Sequence, residues 1–294
     1  MGFVDLWLKA VEKNGTTLCA GIDPSEYAMG RTEKGEGLPA GVNKRDWALK
    51  YIEAVAPHVA AIKPNLRYWL SHFGSDLETL TEMAELARSL GIISIQDSKE
   101  ADIGSTNDSG AFYAATKGFD FLTIAAFAGN VQEAVKQGND RGIGLIGMCL
   151  MSSPEYAKEK SMWVNVTDDA AAYDNNHIKL IDGVSHVRRY IQLARDANRF
   201  GLAGVVVGAP SAKNHIKEDE IANVNRYVGG SSIILVPGIG AQGGEVTALA
   251  KNFDMKYIIA NVGRGLMFPN GAYSTSAQQA DAAKTYSEML RKLK

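Results

Sequence analysis

Four charged residues carry the first chemical signal in this sequence. In Gln96-Asp97-Ser98-Lys99-Glu100-Ala101-Asp102, Asp97 and Lys99 stand two apart, so on an extended strand they project to the same side. Asp102 follows where the chain should be leaving the strand. Lys63 closes the apolar run Val59-Ala60-Ala61-Ile62 and precedes Pro64-Asn65. If the two segments are neighbouring strands, two lysines and two aspartates can alternate in one site. Each ammonium is then held charged by carboxylates, and each carboxylate by ammonium groups. The plain alternative is a solvated charged loop, with Lys63 snorkelling outward. The catalytic reading gains from position, because both segments end where strands of an α/β barrel would present a site.

A second signal is glycine-rich. Val236-Pro237-Gly238-Ile239-Gly240-Ala241-Gln242-Gly243-Gly244 formally matches G-x-G-x-x-G through Gly238, Gly240 and Gly243. A dinucleotide reading fails on context, since the loop follows a seventh strand and no acidic residue ends the next one. That next strand leads instead into Asn261-Val262-Gly263-Arg264-Gly265. Loops after barrel strands seven and eight commonly bind phosphate through backbone N–H groups and a basic residue. The Arg264 fork can bind two phosphate oxygens. Two ordinary Gly-rich turns are the alternative; finding both at these places favours phosphate.

The elements that must position these residues are short, nearly continuous apolar runs. They lie at Thr17–Asp23, Val59–Lys63, Ile92–Asp97, Phe121–Phe127, Gly144–Leu150, Ala203–Gly208, Ile233–Pro237 and Lys256–Val262, as expected for strands covered on both faces. Helical patterns alternate with them. Asp76–Leu90 carries Leu77, Leu80, Ala84 and Ala87 on one face, and Glu245–Phe253 carries Val246, Leu249, Ala250 and Phe253. Eight such repeats predict an α/β protein, a single (β/α)8 TIM barrel with insertions in the βα loops, one catalytic domain spanning 1–294. The insertions fall at Gly30–Asn43 and Ser153–Asp182, on the face where barrel sites are built. Asp168-Asp169 reads as a helix start.

Composition narrows the partners. Hydrophobic residues are 46% and charged residues 22% of 294, and 31 Lys+Arg against 33 Asp+Glu leave a net charge of -2. Without a basic excess, neither nucleic acid nor a membrane surface is an expected partner. No apolar run approaches the ~18 residues of a membrane span, and the N-terminus lacks the layout of a secretory signal. Cys19 and Cys149 lie in apolar segments and read as buried free thiols in a reducing compartment, so the expected location is cytoplasmic. His58, His72, His177, His186 and His215 have no close ligand spacing, and no metal site is expected.

With these residues assembled, the sequence resembles the orotidine 5′-phosphate decarboxylase family. The matching positions are Asp23 in Gly21-Ile22-Asp23-Pro24, Lys63, Asp97-x-Lys99-x-x-Asp102-Ile103 with Thr106, and Met151-Ser152-Ser153-Pro154. They continue through Pro237-Gly238-Ile239-Gly240-Ala241-Gln242-Gly243 and Gly263-Arg264, in the family's order from about Leu18 to Phe268. The resemblance implies decarboxylation of orotidine 5′-phosphate to uridine 5′-phosphate, the last step of de novo pyrimidine synthesis, without metal or organic cofactor. It implies that Lys99 protonates pyrimidine C6, that Asp97 lies near the departing carboxylate, and that Lys63 orders Asp97 and contacts the ribose. Asp102 and Thr106 would enter the partner's site in a homodimer. Asp23 would bind ribose, Ser152 the pyrimidine, and Gln242 with Arg264 the phosphate; Ile103, Pro237 and Gly263 are carried as further substrate-binding positions. The D-x-K-x-x-D motif is shared with related keto-sugar-phosphate decarboxylases and hexulose-phosphate synthases. In that metal-dependent branch the aspartates help hold a divalent ion, assisted by an acidic residue near the second strand. Here that strand ends in Lys63, which would repel a cation.

Overall fold

The computed structural model describes residues 2–70, 75–239 and 246–293. In chain order its strands are β1 (Leu18–Ile22), β2 (Ala61–Pro64), β3 (Ile93–Glu100), β4 (Phe121–Ile124) and β5 (Gly144–Leu150). These are followed by β6 (Trp163–Asn165), β7 (Lys179–Ile181), β8 (Val184–Arg188), β9 (Gly204–Val207), β10 (Ile233–Val236) and β11 (Ile258–Val262). Eight of them close into a parallel barrel in the order β1-β2-β3-β4-β5-β9-β10-β11, with β11 paired back onto β1. Helices connect them and cover the outside, which is the expected (β/α)8 architecture.

Strand alternation builds two cores. Outward residues such as Ile62, Leu122, Val205 and Ile234 pack with the helices. Inward residues, among them Ala61, Ile95, Phe121 and Ile259, fill the lower interior of the barrel. Two residues further along each of these four strands, the inward position turns polar: Lys63, Asp97, Thr123 and Asn261, all buried. Because the side-chain period of a strand is two, this row lies one layer above the apolar plug. It forms the floor of the barrel mouth at the C-terminal ends of the strands.

Local chemistry moves several boundaries. β4 stops at Ile124 rather than Phe127, because the Ala125 N–H donates to Glu100 O at 2.6 Å and the chain turns. β11 begins at Ile258, since Met255–Tyr257 is a 3-10 turn capped by Asp254. The helix expected from Asp76 runs over Ser75–Leu90, but its buried face is Leu80, Met83, Ala84 and Ala87, and Leu77 is 39% exposed. The helix expected over Glu245–Phe253 is Val246–Ala250 in the described residues, with Phe253 buried beyond its end. Glu245 lies outside the described residues.

Both insertions have structure of their own. The longer one passes through a one-turn helix at Tyr156–Glu159, then β6, a 3-10 turn at Thr167–Ala172 and β7. It ends with β8 at Arg188, beyond the expected Asp182. β8 pairs antiparallel with β6 and β7 in a separate sheet. The shorter insertion folds over the barrel mouth as two 3-10 turns, Tyr27–Met29 and Thr32–Lys34, anchored by buried Leu38. Among the described residues no helix is long and apolar enough to cross a membrane.

Candidate active site

Asp97 is the hub of the polar row. The Lys63 ammonium donates to its Oδ2 at 2.5 Å and the Lys99 ammonium to its Oδ1 at 2.5 Å. Thr123 Oγ1 donates to the same Oδ1 at 3.0 Å, and accepts from the Lys99 backbone N–H at 3.0 Å. Burial alone would raise the Asp97 carboxyl, but the two ammonium groups outweigh it and hold it well below the usual carboxylate range. Burial likewise opposes the charge on Lys63, which is 3% exposed. Asp97 and Asp23 override that penalty and raise the Lys63 ammonium above its ordinary value. Asp97 is therefore ionised and Lys63 charged throughout the neutral range. Lys99 differs from Lys63 in access, since its side chain is 43% exposed against 4% for Lys63. One lysine is a buried fixture, whereas the other is open to solvent.

The backbone at Lys99 is unusual. Its φ is 54°, in the left-handed region that costs a non-glycine residue about 1–2 kcal/mol. The β3–β4 register shifts between Gln96 and Glu100 at the same place. A bulge of this kind re-aims a side chain. Here it brings Lys99 onto Asp97 by a route that simple i, i+2 alternation does not describe.

Above the row lies a cavity of about 390 Å³. One end is Lys63, Asp97 and Asp23, whose Oδ1 accepts from the Asn65 N–H at 3.0 Å. Burial pushes the Asp23 carboxyl up, and Lys63 draws it part of the way back. The other end is the turn Pro237-Gly238-Ile239 with Gly263 and Arg264. The turn is tied down by the Ile239 N–H, which donates to Asn261 O at 3.3 Å. Arg264 forms an ion pair with Glu36 of the shorter insertion. From the same insertion Arg31 donates to Tyr68 OH at 3.2 Å. The cavity thus joins a carboxylate–ammonium array to a glycine-lined pocket carrying a guanidinium, a shape suited to a small anion-bearing ligand. A larger cavity of about 660 Å³ lies at the opposite end of the barrel, around Thr17, Phe253 and Leu290, remote from this chemistry.

The structure brings together Asp23, Lys63, Asp97, Pro237, Gly263 and Arg264 around one cavity, with Lys99 bonded to Asp97. Asp102, Ile103 and Thr106 are exposed beyond the end of β3. The Asp102 carboxylate accepts only the Ile103 N–H, at 2.8 Å, among the described hydrogen bonds. Ser152 is half-buried after β5 and packs against Gly208, where a Cβ would come within 2.9 Å of Ser152 Cβ. Gln242 lies outside the described residues. Reading the sequence missed Thr123, Asn261 and Glu36. A signal for the first two existed, since each is a polar residue on the inward phase of an otherwise apolar strand. Glu36 had no such signal.

Comparison with known proteins identifies a family and a fold. The family model described as "Orotidine 5'-phosphate decarboxylase / HUMPS family" matches residues 16–270. A protein of Bordetella petrii named orotidine 5′-phosphate decarboxylase is 28% identical over 97% of this chain and 96% of its own length. One of the same name from Cupriavidus necator is 30% identical over 85% of this chain and 82% of its own. Among solved structures, the Leishmania donovani OMP decarboxylase superposes with a TM-score of 0.72 at 21% identity, covering 100% of this chain and 98% of that one.

Proposed function

This chain belongs to the orotidine 5′-phosphate decarboxylase / HUMPS family, and from that premise we propose that it is a carboxy-lyase converting orotidine 5′-phosphate to uridine 5′-phosphate. The observation that carries the reading is the pair of lysines on one buried carboxylate, Lys63 and Lys99 on Asp97, each at 2.5 Å. In the proposed reaction the bond from C6 to the carboxylate breaks, CO2 departs, and its bonding electrons remain on C6. Lys99, the accessible ammonium, stabilises that negative charge and then donates its proton to C6. At ~4 Å and an effective dielectric of ~20, one such charge interaction amounts to about 4 kcal/mol. Asp97 lies beside the departing carboxylate and holds Lys99, while buried Lys63 keeps Asp97 ionised and reaches the ribose.

The remaining roles follow the same reading. Asp23 binds the ribose, Ser152 the pyrimidine, and Arg264 with Gln242 the phosphate, aided by backbone at Pro237 and Gly263. Binding energy from that distant phosphate stabilises the ordered site without touching the reacting carbon. Asp102 has no cation partner among the described residues, so we assign it, with Ile103 and Thr106, to the site of a second subunit in a homodimer. The exposed apolar side chains of Ile103, Phe112 and Tyr113 around these positions support that assignment. The reaction would close de novo pyrimidine synthesis, in a single catalytic domain working in the cytoplasm.

The related metal-dependent chemistry on keto-sugar phosphates is disfavoured by Lys63, whose ammonium is bonded to Asp97 and would repel a divalent ion there. Incubation with orotidylate, following loss of pyrimidine absorbance, tests the proposal. Turnover should persist in exhaustively chelated protein, and Lys99→Ala should collapse kcat while uridine 5′-phosphate still binds. No turnover, or turnover restored only by Mg2+, would sink it in favour of the sugar-phosphate branch.

A further inference from the structure

Asn261 belongs to the polar row, yet neither the array nor the phosphate pocket uses its side chain. It is 7% exposed, and its Oδ1 is buried with no hydrogen-bond partner among the described residues. Its backbone stands in register with Cys19, and its carbonyl accepts the Ile239 N–H. The inward phase of β11 turns the side chain into the barrel mouth, where it lines the cavity together with Asp23, Lys63 and Arg264. Room for it is kept by Gly21: a Cβ there would stand 3.5 Å from Asn261 Oδ1 and 3.0 Å from Gly263 Cα. The other neutral polar side chains of the cavity, Ser25 and Tyr68, are already engaged by Arg31.

An unpaired buried acceptor is rare in a folded protein and calls for a donor. The proposed ligand limits which donor it can be. Phosphate and carboxylate present only acceptors to a carbonyl oxygen, which leaves the ring N3–H and the two ribose hydroxyls. With the phosphate at Arg264 and C6 at Asp97 and Lys99, the sugar spans the distance between the two ends of the cavity. Asn261, three residues before Arg264, stands on β11 beside β1, which Asp23 directly follows, and so lies along that span. The N3–H lies across the ring from C6, two ring positions from the sugar-bearing nitrogen, on the side assigned to Ser152. We propose that Asn261 accepts a hydrogen bond from a ribose hydroxyl and makes this site selective for a ribonucleotide over the corresponding deoxynucleotide. This inference rests on the nucleotide reading of the site.

The test measures dissociation constants of uridine 5′-phosphate, its 2′-deoxy analogue and its 3′-deoxy analogue for wild type, Asn261→Leu and Asn261→Asp. Wild type should bind the full ribonucleotide most tightly. Asn261→Leu keeps the volume but cannot accept a hydrogen bond, so one of the two ribo-to-deoxy ratios should fall by about tenfold, the size of one hydrogen bond. The other ratio should stay. Asn261→Asp repels the phosphate of all three ligands alike but still accepts from the hydroxyl, so it should keep both ratios. That variant keeps the test decisive if the leucine variant folds poorly, because loss of both ratios in Asn261→Asp overturns the inference. So does a leucine variant that weakens all three ligands equally, or a wild type blind to both hydroxyls. Failure of wild type to bind uridine 5′-phosphate at all is a different outcome, since it removes the nucleotide reading itself.

Discussion

Lys99 concentrates the residue-scale physics of this site. Its φ of 54° is comfortable for glycine and costly for any residue with a Cβ. Lys99→Gly and Lys99→Ala both remove the ammonium that reaches Asp97, so both should lose turnover of orotidylate. Their stabilities should differ, however, because only alanine retains the strained Cβ. Urea unfolding should find the glycine variant more stable than the alanine variant by about 1 kcal/mol. Equal midpoints and slopes would mean that the left-handed backbone is absent in solution. The same comparison separates a strained functional residue from a merely convenient one, since strain persists where the surrounding structure over-determines it. Here Thr123 does so, accepting from the Lys99 N–H and donating to Asp97.

At the scale of elements, the insertion after β1 shapes the Arg264 end of the cavity, the end proposed to take the phosphate. Glu36 from that segment pairs with Arg264, at a guanidinium 47% exposed and a carboxylate 32% exposed. In the proposed function a ligand phosphate replaces this carboxylate at the fork. Glu36→Gln removes the competing charge, so it should tighten uridine 5′-phosphate and leave uridine unchanged. A pair this open to solvent is worth about 0.2–1 kcal/mol, so the expected gain is between roughly one and fivefold. Calorimetric titration of both ligands checks it. Weaker nucleotide binding in the variant would instead make Glu36 a support for Arg264. The longer insertion builds the separate β6–β8 sheet, which stands apart from the four buried polar residues of the mouth.

At the scale of the molecule, the barrel closes but the charge pattern of the mouth does not. Asp97 has two ammonium partners in its own chain, whereas Asp102 has none among the described residues. An isologous dimer would give two equivalent composite sites. Mixing inactive Lys99→Ala and Asp102→Ala subunits should then regenerate one intact site per heterodimer, or about a quarter of wild-type activity at equal amounts and free exchange. Subunit exchange confirmed by mass, with activity still absent, would return Asp102 to its own chain.

Much of the barrel was legible from the sequence because its evidence is local. A strand covered on both faces must be apolar along its length, and eight such runs alternating with helical patterns leave few architectures open. Lys63, Asp97 and Arg264 stood out for the same reason, as charged residues ending apolar runs, where type and place can both be read within a few residues. What only the tertiary structure decided are relations between segments far apart in the chain. Thr123 and Asn261 join the polar row only once β4 and β11 are in register with their neighbours. The bulge that turns Lys99 onto Asp97 belongs to the pairing of β3 with β4. Glu36 meets Arg264 across 228 residues of chain, a contact that no periodicity encodes, because it exists only after the ring of strands has closed and brought β1 beside β11.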